Sequence, residues 1–379
     1  MLGGMATISL VGPFMTNYDR DGNRPVVAGI YREIIERLAA RSAAILPEDT
    51  DAPSIHTSFI GHYHKHVTPF DSFSLQIVLD DLAKEAGVDV LLYTRFADCV
   101  VEEGRISYAV VAALEGLRTV SASLYIDATG NADVAAAAGV PTWKGDEESN
   151  IPQPGTLMFE VCGVRDEGYT ARTEPPVKAY RTPTEGFYKV NHYRVFNTDA
   201  SDSRSMTAAH MEARKQVLDA FDVLKNRTPG FENATITNVA NVLGVRESRH
   251  IKGKYTITVS DVSSGTKFDD RVAIGGFGMD VHPRNPQMSG NFKIQVAEAY
   301  YVPYRSMLPL NCDNLIVAGK TISCESQAAG GLRVMPCAMA MGQAAGAAAF
   351  IATQKDCLPE DVPVSELHQL LLSHGAILD

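Results

Sequence analysis

The chain has 379 residues, 45% of them hydrophobic and 21% charged, which is enough for one large or two medium domains with a full core. Its formal net charge of -11 at pH 7 is mixed along the chain with no basic run, which argues against nucleic acid or an anionic membrane surface as the main partner. The six cysteines, at 99, 162, 312, 324, 337 and 357, make no CxxC pair, so neither a thioredoxin-like disulfide nor a cysteine-ligated iron–sulfur cluster is supported. Nothing reads as a signal peptide, and the apolar stretch 337–352 reads as too short to span a membrane, so a reducing cytoplasm fits.

In chain order, LGGMAT comes first. The paired Gly3 and Gly4, followed by Met5, Ala6 and Thr7, would let backbone approach a ligand closely. Apolar residues at 26, 30, 34 and 38 predict an amphipathic helix over 26–43. His62, His64 and His66 alternate, so in an extended segment they share one face. No carboxylate or cysteine is fixed nearby by spacing to complete a metal site. The alternatives are a metal held by the imidazoles, a substrate-side catalytic or binding role for which His64 is the candidate, and a solvated edge. Asp71 or Ser72 caps a helix that runs to Gly87. Strands over 88–93, 96–101, 106–114 and 120–126, separated by EEGR and EGLR turns, predict a β-meander. The last strand closes in IDATG, where Gly130 after Ala128 and Thr129 permits close approach of a ligand. Asn131 or Asp133 then caps an alanine-rich helix ending at Gly139.

Residues 141–300 read as a second domain, with a strand over 156–162 and a helix over 203–224. In LGVRESRHIKGKYTIT, Arg246 and Arg249 are three apart. They either hold a substrate carboxylate by paired hydrogen bonds or join Glu247 in a structural ion network. The run 315–318 is a short buried strand closed by Gly319. Arg333, Val334 and Met335 lead into Pro336, which opens a helix. The free N–H groups behind that proline, with the positive end of the helix dipole, suit an anion or an oxygen gaining negative charge. Ala338, Gly342 and Gly346 recur every four residues, so one helix face is nearly flat and close packing against it is expected. Cys337 lies in the first turn, where thiolate is favoured; a redox role and a small apolar filler both remain open.

The elements LGGMAT, IDATGNADVAAAAGVP, GVRESRHIKGKYTIT and VAG...RVMP...MAMGQAAG together resemble FAD-dependent oxidoreductases of the two-dinucleotide-binding-domain fold, a group related to the flavoprotein of heterodisulfide reductase. The resemblance implies an α/β fold. A Rossmann-like FAD-binding domain, split between 1–140 and 301–379, would carry an inserted α+β substrate domain over 141–300. It also implies noncovalent FAD. Gly3, Gly4, Met5, Ala6 and Thr7 would lie along the flavin, and Phe96 beside the adenine. Ala128, Thr129 and Gly130 would meet the adenosine pyrophosphate. Gly319, Arg333, Val334, Met335, Pro336 and Cys337 would border the flavin pyrimidine. Hydride would pass between flavin and a small organic substrate, an anionic one if Arg246, Arg249 and His64 serve it.

The strand–GxGxxG–helix unit of about 30 residues that normally opens such a fold is missing from the sequence; Gly276-Phe277-Gly278 lacks the third glycine. The expectation is therefore that the sequence is internal to a longer product and by itself holds FAD weakly or not at all. Two rivals stand beside this reading. One is a flavin-free remnant acting as a binding or interaction module, the other a nucleotide-binding enzyme without flavin chemistry. Substrate, electron acceptor, an iron–sulfur partner and homo-oligomerisation stay open.

Overall fold

A computed structural model describes residues 1–50, 64–146, 149–165, 177–287, 292–294 and 296–379. Helices and runs of strands are mixed along the chain in an α/β arrangement. Its pivot is a parallel pair, Leu315–Val317 beside Tyr125–Asp127, with Leu315 opposite Tyr125 and Val317 opposite Asp127. All three residues of Leu315–Val317 are buried, as the uninterrupted apolar run requires. The meander is present as Arg95–Glu102, Arg105–Ala113 and Gly116–Val120, paired antiparallel in that order. The expected strand over 88–93 is absent, and Leu91 and Tyr93 are 61% and 80% exposed. Among the described residues nothing pairs with that apolar run.

Local signals place the longer helices. The Asp71 carboxylate accepts from the Ser74 N–H at 2.7 Å, starting the helix Ser72–Glu85. Asp202 does the same for Ser205 at 2.6 Å ahead of Ser203–Arg227. In that helix Ala209, Ala213, Val217, Ala220 and Leu224 form a buried stripe at three- and four-residue spacing. The stripe shares a core with a four-stranded antiparallel sheet ordered Ala179–Arg181, Tyr188–Val190, Phe159–Cys162 and Thr235–Val239. The IDATG turn departs from expectation. Neither Asn131 nor Asp133 caps the helix Asp133–Ala137, whose N-cap is Ala132 in the left-handed region. The buried Asp127 carboxylate organises the turn instead, accepting from Thr129 N, Thr129 Oγ1 and Ala135 N at 2.7–3.0 Å.

The helix Met335–Lys355 has 21 residues and mean hydropathy 1.3, long and apolar enough by length and composition to cross a membrane. It is thus longer than the apolar stretch 337–352 suggests. Its apolarity also serves the core, since Cys337, Met341, Ala344, Ala345 and Ala348 are fully buried. Gly342 and Gly346 face the other way. Among the described residues a Cβ added to either meets nothing within 4 Å, so the close packing expected at these two glycines is not found there. Close packing lies one helix earlier. A Cβ on Gly331 would sit 2.6 Å from Tyr300 Oη, and one on Gly330 would sit 3.1 Å from the Asp280 backbone. Glycine is what lets Ala329–Leu332 press onto the strand Met279–Val281.

The strand Arg271–Gly275 pairs with Tyr300–Pro303, so the expected domain boundary at 300 falls within one β pairing. Residues from 257 onward share one apolar core with 315–378.

Candidate active site

Three separately built surfaces meet at a cavity of about 280 Å³. The amino-terminal segment brings Met5, Gly12 and Pro13. The four-stranded sheet and its loops bring Thr156, Lys178, Tyr180, Asn191 and Arg246. The carboxy-terminal core brings Asp280, His282, Lys320, Arg333, Val334 and Met335.

The lining is strongly cationic. Arg246 donates to the Pro154 carbonyl at 2.8 Å, to Thr156 Oγ1 at 2.6 Å and to Asn191 Oδ1 at 3.4 Å. All three acceptors are neutral. Among the described residues no carboxylate lies within 4 Å of its guanidinium. Burial, with Arg333 and Arg194 nearby, pulls its pKa down to about 9, while Asp280 offsets part of the effect. Burial followed by the Arg194 charge likewise lowers the Lys178 ammonium. Lys320 is brought down to about 8, chiefly by burial, and donates to the Gly130 carbonyl.

Asp280 is the balancing anion. It accepts from Arg333 Nη2 at 3.1 Å and from His282 Nε2 at 2.9 Å, and despite its burial the His282 hydrogen bond and the Arg333 and Arg246 charges hold its carboxyl well below the usual range. Burial and the Arg246 charge keep His282 neutral down to about pH 3. Asp280 therefore fixes the tautomer, with the proton on Nε2.

Six of the residues singled out from sequence line this cavity: Met5, His64, Arg246, Arg333, Val334 and Met335. Gly130 and Gly319 flank it through Lys320, Gly319 having a left-handed φ of +92 with open space where a Cβ would be. The others lie elsewhere. Gly3 and Gly4 precede a four-residue helix, Met5–Ile8, in which Ala6 and Thr7 are buried; Thr7 Oγ1 donates to the Leu2 carbonyl. Phe96 packs beside Cys99 and Tyr125 in another core. Ala128 and Thr129 belong to the turn that Asp127 organises, and Pro336 is buried in the first helical turn.

Arg249 is set apart from Arg246. It ion-pairs with Asp133 at 2.9 Å and donates to the Asn131 carbonyl at 3.0 Å, tying its strand to the turn after IDATG. Glu247 joins neither arginine; it accepts from Gln153 N at 2.8 Å and Arg284 Nη1 at 3.3 Å. Burial pushes the Cys337 thiol up to about 12, which opposes the thiolate of the redox reading and fits the small apolar filler. His62 lies outside the described residues. His64 and His66 do not project together from an extended strand. His66 has φ 55 and stacks on Tyr18, while His64 meets Tyr180 edge-on at 5.6 Å.

Sequence reasoning missed Lys178, Asp280, His282 and Lys320. Lys320 was findable, because it directly follows the strand-closing Gly319. The others come from segments with no recognisable motif.

The start of the helix Met335–Lys355 suits an anionic cofactor edge. It has no side-chain cap, Val334 and Met335 line the cavity, and the buried Arg333 Nε has no hydrogen-bond partner. A helix N-terminus, an unpartnered guanidinium N–H and a cationic wall are what an oxidised flavin needs to accept negative charge.

A family model described as FAD dependent oxidoreductase matches residues 1–371. Among solved structures, the chain is similar to a geranylgeranyl bacteriochlorophyll reductase-like protein from Thermoplasma acidophilum at 13% identity and TM-score 0.41, covering 99% of this chain and 70% of that one. It is similar to L-proline dehydrogenase from P. horikoshii at 13% identity and TM-score 0.34, covering 88% and 69%. It is also similar to CmlS, a flavin-dependent halogenase, at 13% identity and TM-score 0.42, covering 89% of this chain and 51% of that one. No curated protein matches.

Proposed function

The chain belongs to the FAD dependent oxidoreductase family, and from that premise we propose that it transfers a hydride between its FAD and a small anionic organic substrate held by Arg246. FAD supplies the two-electron chemistry, and the protein supplies binding, orientation and electrostatics. Arg333, Val334 and Met335 would hold the flavin edge, with Asp280 keeping the Arg333 side chain in place.

One observation carries the reading. Arg246 is a half-buried guanidinium whose hydrogen bonds all go to neutral acceptors, with Asp280 acting on it only at a distance, and a desolvated charge with no directly paired counter-ion is costly unless a ligand provides one. A substrate carboxylate or equivalent anion supplies that charge, and the planar fork fixes its orientation.

The test is anaerobic reduction of the bound flavin by a panel of small carboxylates and their uncharged amides. Carboxylates should reduce it and amides should not, and Arg246→Lys should raise the half-saturating concentration at least about tenfold, since lysine cannot reproduce the fork. Equal reduction by amides, or an unaffected Arg246→Lys variant, would rule the anion site out.

A further inference from the structure

The cavity holds a second cation whose position no structural task explains. Lys178 immediately precedes the strand Ala179–Arg181 and its side chain lines the cavity. Among the described residues its ammonium has neither a hydrogen bond nor an ion pair. Compare Lys189 on the neighbouring strand, which donates to Ser72 Oγ at 2.6 Å and lies over the Phe70 ring. Compare also Lys144, which pairs with Asp199 at 2.7 Å. Those two lysines knit elements together and Lys178 does not.

Resting on the reading above, we propose that Lys178 is the proton acceptor of the reaction and that the substrate is a small 2-hydroxy or 2-amino acid. Two adjacent requirements define that class. Arg246 takes the carboxylate. Lys178, close enough for the two cations to repel, meets the neighbouring carbon's hydroxyl or amino group.

The step balances as follows. The substrate C–H bond breaks and its electron pair leaves as hydride, reducing the FAD by two electrons. The O–H or N–H bond gives its proton to the Lys178 amine, and a C=O or C=N bond forms. The lysine returns the proton to solvent after the oxo or imino acid leaves.

The surroundings suit this task. Among the described residues, the groups facing Lys178 are Arg194, Arg246 and His192, with Asp280 the one acid. Burial and the like charges lower its pKa below the ordinary lysine value, with Asp280 opposing. More neutral amine is therefore present near neutrality than an exposed lysine would provide. Asp280 is a poor alternative base, since its own neighbours hold it ionised far below the usual range. His282 Nδ1 is buried and without a partner, and burial keeps that ring neutral.

The experiment compares the FAD-loaded protein with Lys178→Met and Lys178→Arg. Bound flavin is mixed anaerobically with 2-hydroxy and 2-amino acids of two to six carbons, and propionate binding is measured in parallel by calorimetry. In the unaltered protein the reduction rate should rise with pH to a plateau, with a midpoint below the ordinary lysine value. Both variants should slow reduction roughly 100- to 10,000-fold and lose that rise. Added methylamine should restore part of the rate to Lys178→Met. Lys178→Arg, which keeps the positive charge, should bind propionate within about threefold of the original.

Reduction at an unchanged rate and pH profile in both variants would overturn the assignment. If the original protein binds propionate but no acid of either class reduces its flavin, the substrate class is wrong while the anion site stands. If propionate does not bind at all, the anion site itself fails.

Discussion

At the scale of single residues, the site is an unequal balance of charge. Among the described residues, Arg246, Arg333, Lys178 and Lys320 surround the cavity against one carboxylate, Asp280. The imbalance has a pH signature through His282. Its folded pKa is about 3 against an ordinary 6.5, so between those values the unfolded chain binds a proton that the folded chain refuses. Stability therefore falls as pH drops below about 6.5, by up to about 1.4 kcal/mol per pH unit from this group. Urea unfolding at pH 7 and pH 5 should show His282→Gln losing less stability on acidification than the unaltered chain. An identical pH dependence in the two proteins would mean that His282 is not held neutral.

The arginine pair illustrates what residue-level reading could resolve. Spacing made Arg246 and Arg249 equal candidates for a substrate anion. Their partners separate them, because strand Arg249–Ile251 turns one arginine onto Asp133, while the other stays behind Thr156 in the cavity. Neither partner is close in sequence, so no local pattern could report the difference.

At the scale of elements, local chemistry was legible where it was self-contained. Asp71, one of two candidate caps, is the one that caps its helix, and Pro336 announced the first turn of the long carboxy-terminal helix. The alanine-rich helix after IDATG was legible as a helix but not in its cap, because Asp127 reaches back from the strand to bond Ala135 N. The glycines were misread for a related reason. Periodicity marked Gly342 and Gly346 as a packing face, yet packing depends on what lies opposite, and among the described residues nothing comes within 4 Å of a Cβ at either.

Two substitutions test this directly. Gly342→Ala, on an exposed helical face, should be neutral or stabilise by up to about 1 kcal/mol through helix propensity. Gly331→Ala should cost about 1–3 kcal/mol, since its methyl group would meet Tyr300 Oη at 2.6 Å. Chemical denaturation of both variants decides the matter, and a destabilised Gly342→Ala beside an unaffected Gly331→Ala would reverse the assignment of the tight face.

At the scale of the whole molecule, the cavity exists because separate apolar cores converge on it. One core holds the amino-terminal helices, one the four-stranded sheet, and one the carboxy-terminal helix with its strands. Family motifs in the sequence pointed to the strands of the parallel pair and to FAD itself. They did not point to Lys178, Asp280 or His282, which the topology brings in from the segments between motifs. Because FAD binds the folded chain, it should raise thermal stability by mass action. An excess of about 100-fold over its dissociation constant contributes about 2.7 kcal/mol, a rise in Tm on the order of 5 °C; scanning fluorimetry with added FAD and with AMP as control measures it. The most direct test of the central claim, that Arg246 presents an anion to the flavin, is the flavin difference spectrum during titration of the FAD-loaded protein with propionate. The account predicts a saturable shift of the flavin bands that Arg246→Met abolishes while still holding FAD. A shift of equal size and midpoint in Arg246→Met, or a flavin indifferent to every small carboxylate, would contradict it.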